Sequence, residues 1–120
     1  LLSSCVGSMI VVSTETRERW RVVFEDPGYW RCGLYVPEFT SLSEVDYMEK
    51  HDAPELFLLL EGKVVLVLSE DGAELREVPM ERGKLYVVTE WHNAYRPGNC
   101  RGVALVVERT GISTTYKKLK

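Results

Sequence analysis

The feature that most constrains the fold of this chain is a series of short segments in which apolar and polar residues alternate. In one of them, Trp20, Val22 and Phe24 share a face. Similar alternation is found at 29–36, 55–60, 63–68, 73–78, 84–88 and 102–109. Alternation with a period of two is typical of strands with one buried face. Many such strands at regular spacing predict a closed barrel or a sandwich of two sheets.

Two neighbouring segments predict a hairpin. The stretches VVLVLSE and AELREV flank Asp71 and Gly72. We expect a two-residue turn at this point, because Asp-Gly tolerates the positive φ angles that a tight primed turn demands.

Residues 40–51 are compatible with either a helix or a strand. Ser41 is followed three residues later by Glu44, as at many helix starts, but no apolar stripe at helical spacing follows. A strand would give the segment two faces. One would carry Val45, Tyr47, Glu49 and His51, and the other, mostly charged and suited to water, Glu44, Asp46, Met48 and Lys50. We predict the strand.

The length and charge of the chain restrict its class. Its 120 residues fit one domain, so we predict a single domain over 1–120, with 1–8 as a candidate N-terminal extension ahead of Met9. The net charge of -3 argues against a nucleic-acid partner. No apolar run approaches the roughly 18 residues of a membrane span. No targeting segment is recognisable, so we expect no membrane association and a cytoplasmic location.

The cysteine pattern indicates free thiols. The chain has three cysteines, Cys5, Cys32 and Cys100, with no zinc-knuckle or CxxC spacing. An odd number argues against a secreted disulfide framework. A Cys32–Cys100 bridge is the alternative, and we favour unpaired thiols.

The chemistry-bearing part of the sequence surrounds its two histidines, His51 and His92. His51 is followed after three residues by Glu55 and, after six more, by Gly62. Gly83 opens a second stretch, KLYVVTEWHNAYRP, which contains His92. This two-part pattern resembles the signature of the cupin superfamily. Its first motif has His-x-His, a glutamate and a glycine, and its second has a glycine, Pro-x-Gly and a histidine.

The resemblance covers residues 43–96 and is partial. Glu49 stands in place of the first histidine, so the first motif is degenerate. In the second motif, Thr89 and Trp91 replace the proline and glycine of Pro-x-Gly, and His92 comes two residues early. The resemblance implies an all-β, cupin-type double-stranded β-helix, or jelly-roll barrel, with a metal site inside it. It also implies a homodimer.

The residue types support the same site. Glu55 shares an inward strand face with Phe57, and a buried carboxylate is costly unless it is paired or bound to a metal. Two imidazoles and a carboxylate from three strands form an arrangement that holds a divalent metal with open positions. We therefore predict His51, Glu55 and His92 as metal ligands. Glu49 shares the face of His51 and is the candidate fourth ligand.

Two other interpretations stay open at this stage. Glu55 could instead form an ion pair with Arg31 or Arg96 inside the barrel. Alternatively, the four polar residues could form a hydrogen-bonded cluster, without a metal, in the pocket of an organic ligand. We further predict four pocket-lining residues: Tyr47, Phe57, Trp91 and Arg96.

The resemblance implies a scaffold and leaves the reaction open. Our first hypothesis is a protein that binds iron, manganese, zinc or nickel and acts on a small polar metabolite by dioxygenase, isomerase or lyase chemistry. The alternative is a non-catalytic barrel that binds or senses a small molecule without a metal. The unpaired edges expected of the strands at 9–12 and 20–24 also predict pairing between two copies in a homodimer.

Overall fold

The structure is a computed structural model that describes residues 3–119. It contains twelve strands and two single-turn 3-10 segments, Leu42–Glu44 and Pro97–Asn99. The strands are β1 (Ser3–Val6), β2 (Met9–Val12), β3 (Trp20–Asp26), β4 (Trp30–Tyr35), β5 (Tyr47–His51), β6 (Glu55–Gly62), β7 (Val65–Ser69), β8 (Arg76–Pro79), β9 (Leu85–Val88), β10 (Trp91–Tyr95), β11 (Gly102–Arg109) and β12 (Thr114–Lys118).

Ten of these strands form two five-stranded antiparallel sheets. The first sheet has the order β3-β4-β11-β6-β9, and the second has the order β12-β5-β10-β7-β8. Strands distant in sequence are therefore neighbours, which is the connectivity of a jelly-roll barrel. The prediction of an all-β jelly roll is confirmed. Strands β1 and β2 form a separate two-stranded hairpin, and residues 1 and 2 of the candidate N-terminal extension lie outside the described residues.

The main core lies between the two sheets. It contains Phe57, Leu59, Val64, Leu66, Met80, Val88, Ala94, Ala104 and Val106. These residues come from both sheets and alternate with outward-facing neighbours, as the period of two predicts. Among the described residues, no helix is long and apolar enough to cross a membrane.

The segment at 40–51 is a strand only in its second half. Residues Leu42–Glu44 form a 3-10 turn, in which the Glu44 carboxylate accepts hydrogen bonds from the backbone N–H and the hydroxyl of Thr40. Strand β5 begins at Tyr47. The expectation that Met48 faces water is wrong. Met48 is fully buried with Val45 and Val67, because side chains from other segments cover this outer face of β5.

The predicted hairpin is confirmed in its pairing but not in its turn. Strands β7 and β8 pair up to Leu68 and Arg76, so the loop is longer than two residues. Oδ1 of Asp71 accepts hydrogen bonds from the backbone N–H groups of Ala73 and Glu74. Gly72 takes a φ of 79°. The aspartate side chain thus organises a wider loop than a primed turn.

A bulge in β3 decides where Trp20 lies. The pairing register shifts between Val22 and Phe24, so Phe24 lies opposite Cys32, on the other face from Trp20 and Val22. The predicted common face of these three residues is therefore wrong. The ring of Trp20 lies over Gly33, where an added Cβ would come within 2.4 Å of it. The glycine lets the indole lie against β4 at the wall of the cavity between the sheets.

The cysteine expectation agrees with the structure at the two described thiols. Cys32 and Cys100 are both free and half-buried.

Candidate metal centre

Four predicted ligands converge inside the barrel. Glu49 and His51 lie on β5, Glu55 begins β6, and His92 lies on β10. One nitrogen or oxygen atom of each lies within 4.8 Å of those of the other three. His92 is the register partner of Glu49, whereas Glu55 comes from the opposite sheet. The site therefore joins the two sheets.

The distances show a tight cluster of Nε2 and Oε1 atoms. Nε2 of His92 lies 3.1 Å from Oε1 of Glu55 and 3.6 Å from Oε1 of Glu49. Nε2 of His51 lies 3.5 Å from Oε1 of Glu49 and is in close contact with Oε1 of Glu55. The side chains of His51, His92 and Glu55 are 8%, 7% and 5% exposed, respectively.

Backbone and hydroxyl partners orient both imidazoles from behind. Nδ1 of His92 lies 3.0 Å from the carbonyl oxygen of Glu90. A carbonyl can only accept, so this nitrogen carries a proton, and in the neutral ring Nε2 presents a lone pair to the cluster. Nδ1 of His51 lies 2.8 Å from the Thr114 hydroxyl. Partners of this kind are typical of metal-ligating histidines.

The Glu55 carboxylate tests whether a metal ion fits. Its Oε1 is buried and has no hydrogen bond of acceptable geometry within the described chain, although two imidazole nitrogens approach it. A carboxylate oxygen and the lone pair of an imidazole nitrogen repel each other unless a proton or a cation lies between them. Two imidazoles and two carboxylates form a donor set that suits a divalent iron, manganese, zinc or nickel ion. The residues fit such an ion.

In the metal-free protein, protons on the imidazoles remove the repulsion between the nitrogen and oxygen atoms of the cluster. Burial lowers the pKa of each imidazole, but contacts with Glu49 and Glu55 outweigh it and raise the pKa of His51 to about 9 and that of His92 to about 10. Burial acts in the opposite direction on the carboxylates. The two imidazoles nevertheless lower the pKa of Glu49 to about 2 and hold the pKa of Glu55 below its usual range. The metal-free cluster is thus two imidazolium–carboxylate pairs.

The cluster opens into a cavity of about 420 Å³ between the sheets. Of the four predicted pocket-lining residues, Tyr47 and Phe57 lie on its wall. Trp91 and Arg96 do not, which corrects the sequence-based expectation. Successive residues of a strand point to opposite faces. Trp91 therefore points away from the cavity that His92 faces, and it packs beside Met48. The guanidinium of Arg96 donates hydrogen bonds to the carbonyl oxygens of Pro37 and Cys100.

Sequence reasoning missed a second buried carboxylate in the same cavity. Glu108 lies opposite Arg31 in the β11–β4 register. Its Oε2 accepts hydrogen bonds from Nε of Arg31 at 2.7 Å and from Nη2 at 2.5 Å. Burial first, and then the charge of Glu55, raises the pKa of Glu108. Its alternation with Val106 on β11 was the signal that could have revealed it.

The Arg31–Glu108 pair also decides one of the alternatives. Arg31 pairs with Glu108, and Arg96 binds backbone carbonyls. Within the described chain, Glu55 is paired with the two histidines and with neither arginine.

Comparison with solved structures identifies the fold. The chain is similar to a cupin-2 domain containing protein from Shewanella frigidimarina NCIMB 400, with a TM-score of 0.53, 17% identity and coverage of 79% of this chain and 83% of that one. The chain has the cupin fold. No protein-family model and no curated protein matches the sequence.

Two further similarities concern larger chains with the same fold. Hydroxypropylphosphonic acid epoxidase from S. wedmorenis matches with a TM-score of 0.59 and 14% identity, over 74% of this cupin-fold chain and 49% of that chain. The Fe(II) form of HppE in complex with its substrate matches with a TM-score of 0.63 and 12% identity, over 88% and 60%. This chain therefore spans about half to three-fifths of the length of those proteins.

Proposed function

We propose that this protein binds a divalent metal ion through Glu49, His51, Glu55 and His92 and acts on a small polar metabolite in the adjoining cavity. The observation that carries the proposal is the buried Oε1 of Glu55, which lies among imidazole nitrogens and has no hydrogen bond of acceptable geometry in the described chain. A cation at this point would satisfy both kinds of donor at once. Solved structures of similar fold include Fe(II) and Co(II) forms of HppE.

The identity of the ion is restricted by Glu49. A carboxylate in place of a neutral imidazole adds one negative charge to the donor set, which favours harder ions such as manganese or iron over copper. When bound, such an ion supplies Lewis acidity and, for iron or manganese, redox capacity. Dioxygenase, isomerase and lyase chemistry are all compatible with an ion that has these properties.

The chain's own residues then divide the remaining tasks. Thr114 and the Glu90 carbonyl hold the two imidazole rings in one orientation. The Arg31–Glu108 pair places a further carboxylate in the same cavity, where it can accept a hydrogen bond or a proton from a bound molecule. The apolar part of the wall, including Phe57 and Val106, keeps water from one side of the cavity.

Elemental analysis tests the proposal. Protein purified without an affinity tag should contain near-stoichiometric metal, and the His92→Ala variant should lose it. Lys50→Ala is a matched control, because Lys50 lies between Glu49 and His51 on β5 but is exposed; it should retain the metal. If no metal is found and none binds when iron, manganese, zinc or nickel is added, the proposal is wrong.

A second candidate function is metal-free binding or sensing of a small molecule. It is supported by the charge balance of the cluster, because two imidazolium–carboxylate pairs neutralise one another without an ion. Under this function, a ligand would bind with equal affinity before and after treatment with a chelator. Loss of binding after chelation, and its recovery on adding metal, would exclude it.

We also propose that the protein is a homodimer. The β1–β2 hairpin forms its own sheet and exposes Met9, Ile10 and Val11. On the outer face of β9, Leu85 and Val87 are 66% and 61% exposed. We infer that the hairpin of one copy covers this outer face of the second copy, because both surfaces are apolar and neither is covered by residues 3–119 of its own copy.

Sedimentation equilibrium tests the dimer. The double variant Leu85→Lys, Val87→Lys should be monomeric at concentrations where the parent protein is dimeric. Tyr29→Lys is the control, since Tyr29 is equally exposed but lies in the β3–β4 turn. A monomeric parent protein, or a double variant that dimerises normally, would rule out this interface. The cytoplasmic location and the lack of a nucleic-acid partner stay predictions from the sequence.

A further inference from the structure

Aromatic side chains line the cavity from both sheets. Trp20, Tyr35 and Phe57 come from the sheet that contains β3, β4 and β6. Phe39, Tyr47 and Tyr116 lie on the other side, since Tyr47 and Tyr116 belong to β5 and β12 and Phe39 bridges to β10. We call these the first and the second aromatic wall.

The first wall continues directly from the candidate metal centre. The ring centroids of His92 and Phe57 are 6.0 Å apart with their planes at 73°. Those of Phe57 and Tyr35 are 6.5 Å apart at 68°. Edge-to-face packing of this kind is the favoured geometry of aromatic pairs. Trp20 extends the wall over Gly33, which alone gives the indole room at this position.

The second wall has the same relation to the centre. Tyr116 is the register partner of Glu49 on the neighbouring strand. The rings of Tyr47 and Tyr116 are 6.1 Å apart at 55°, and those of Tyr47 and Phe39 are 5.9 Å apart at 67°. Both walls thus begin beside a candidate metal ligand and lead away from it along the cavity.

Most of these rings are not part of the closed core. Of the two walls, only Phe57 is counted among the buried core residues, while Trp20 and Tyr116 are 40% and 66% exposed. Tyr35 is half-buried and also lines the cavity. Aromatic surface left open inside a cavity favours a flat apolar body between the walls.

The charges of the cavity disfavour a strongly anionic ligand. Arg19 pairs with Glu38 at 3.0 Å, and Arg31 pairs with Glu108. Both guanidinium groups are therefore neutralised within the protein. The two negative charges of Glu49 and Glu55 would neutralise a bound divalent ion. The cavity would then have no net positive charge to attract a dianion.

We propose that the cavity binds a small aromatic molecule, neutral or singly charged, whose ring lies between the two aromatic walls and whose oxygen donors reach the metal centre. The oxygen-donor end of this inference rests on the proposed metal-binding function. The ring site rests on the aromatic walls alone, so the two can be tested separately.

Two hydroxamates provide matched probes. Benzohydroxamate and acetohydroxamate present the same chelating group and differ in the ring. After a titration has established that the protein binds Ni²⁺ or Zn²⁺, calorimetry should show benzohydroxamate binding about tenfold more tightly than acetohydroxamate, as one or two aromatic contacts would produce. If the metal binds and the two affinities are equal, the ring site is wrong while the metal function stands.

Two tryptophan variants locate the ring. Trp20→Leu should reduce the preference for benzohydroxamate severalfold and leave metal affinity unchanged. Trp30→Leu is the control, because Trp30 packs against Phe24 and does not line the cavity; its preference should equal that of the parent. An equal loss in both variants would overturn the inference, since it would report weakened packing in general.

The ring site can also be tested in the metal-free protein. Benzohydroxamate should quench the fluorescence of Trp20, identified by its loss in Trp20→Leu, and acetohydroxamate should not. If the metal titration fails, the metal function is wrong, and this measurement still decides the ring site. Absence of selective quenching would then overturn it.

Discussion

Oε1 of Glu55 lies 3.1 Å from Nε2 of His92, although the two residues belong to different sheets. This contact crosses the barrel interior and involves two side chains that are almost fully buried. Each atom has a lone pair directed at the other unless a proton or a cation intervenes. The chemistry of the protein, and part of the pH dependence of its stability, should therefore depend on what occupies this point.

Replacement of Glu55 should separate shape from charge. Glu55→Gln keeps the size of the side chain but removes an anionic donor. Loss of a residue that only hydrogen-bonds to a metal ligand lowers metal affinity by up to about 100-fold. Loss of a ligand itself should therefore lower the affinity for Mn²⁺ or Zn²⁺ by at least about 100-fold. Isothermal titration calorimetry measures this. The control is Glu61→Gln, because Glu61 lies on the same strand but is exposed. Equal affinities in the parent and Glu55→Gln would exclude Glu55 as a ligand.

Thr114 should act through the orientation of His51. Its hydroxyl is 2.8 Å from Nδ1 of that ring, and loss of such a partner reduces metal affinity by about 10- to 100-fold. Thr114→Val should show this decrease. Thr115→Val should not, because Thr115 is the neighbouring residue on β12 and is exposed. A similar decrease in both variants would indicate damage to the strand instead.

Glu49 should determine which ions are preferred. Glu49→His restores the histidine of the motif that the sequence resembles and replaces a charged oxygen donor by a neutral nitrogen donor. The affinity ratio of Ni²⁺ to Mn²⁺ should rise by about tenfold or more, because imidazole favours the later ions of the series. Competition titrations in the parent and the variant measure the ratio. An unchanged ratio would show that Glu49 does not contact the ion.

The metal-free protein should lose stability on the alkaline side. The pKa values of His51 and His92 rise to about 9 and about 10 on folding. Their contribution is complete below the unfolded value of about 6.5 and is lost as pH rises through the folded values. The melting temperature should therefore fall between about pH 7 and pH 10. Below about pH 4.5, protonation of Glu49, whose folded pKa is about 2, should lower it as well.

Added metal should reverse the alkaline loss. Ligation requires deprotonated imidazoles, so metal affinity should increase as pH rises over the same range. Thermal melts at several pH values, with and without Zn²⁺, measure both effects. A flat profile for the metal-free protein would contradict the ion pairs described for the cluster.

Replacement of Gly33 should lower the stability of the protein only when Trp20 is present. A Cβ at this position would lie 2.4 Å from the indole ring, so Gly33→Ala should destabilise the protein by about 1–3 kcal/mol in chemical denaturation. In the Trp20→Leu background the same change should have little effect, because the clash is removed. A double-mutant cycle measures the difference. Equal destabilisation in both backgrounds would place the strain in the backbone.

Much of the fold could be predicted because strand faces depend on local alternation. The period of two placed Tyr47, Glu49 and His51 together on one face, and the structure puts all three on the cavity wall. The same rule, applied to β11, would have found Glu108. The bulge in β3 defeated the rule, because one extra residue reverses the face of Phe24 and is not visible in the pattern.

The sequence by itself determined most of the strands, most of their inward faces and the four polar residues that a jelly-roll barrel could bring together. Only the tertiary structure decided which partners those residues meet. In the structure, Met48 is buried beneath the 3-10 segment, and Trp91 points away from the cavity. Arg31 pairs with Glu108, whereas Glu55 contacts the two histidines. The physical reason is that side-chain direction along a strand is local, whereas contacts across two sheets are fixed by the pairing of strands distant in the chain.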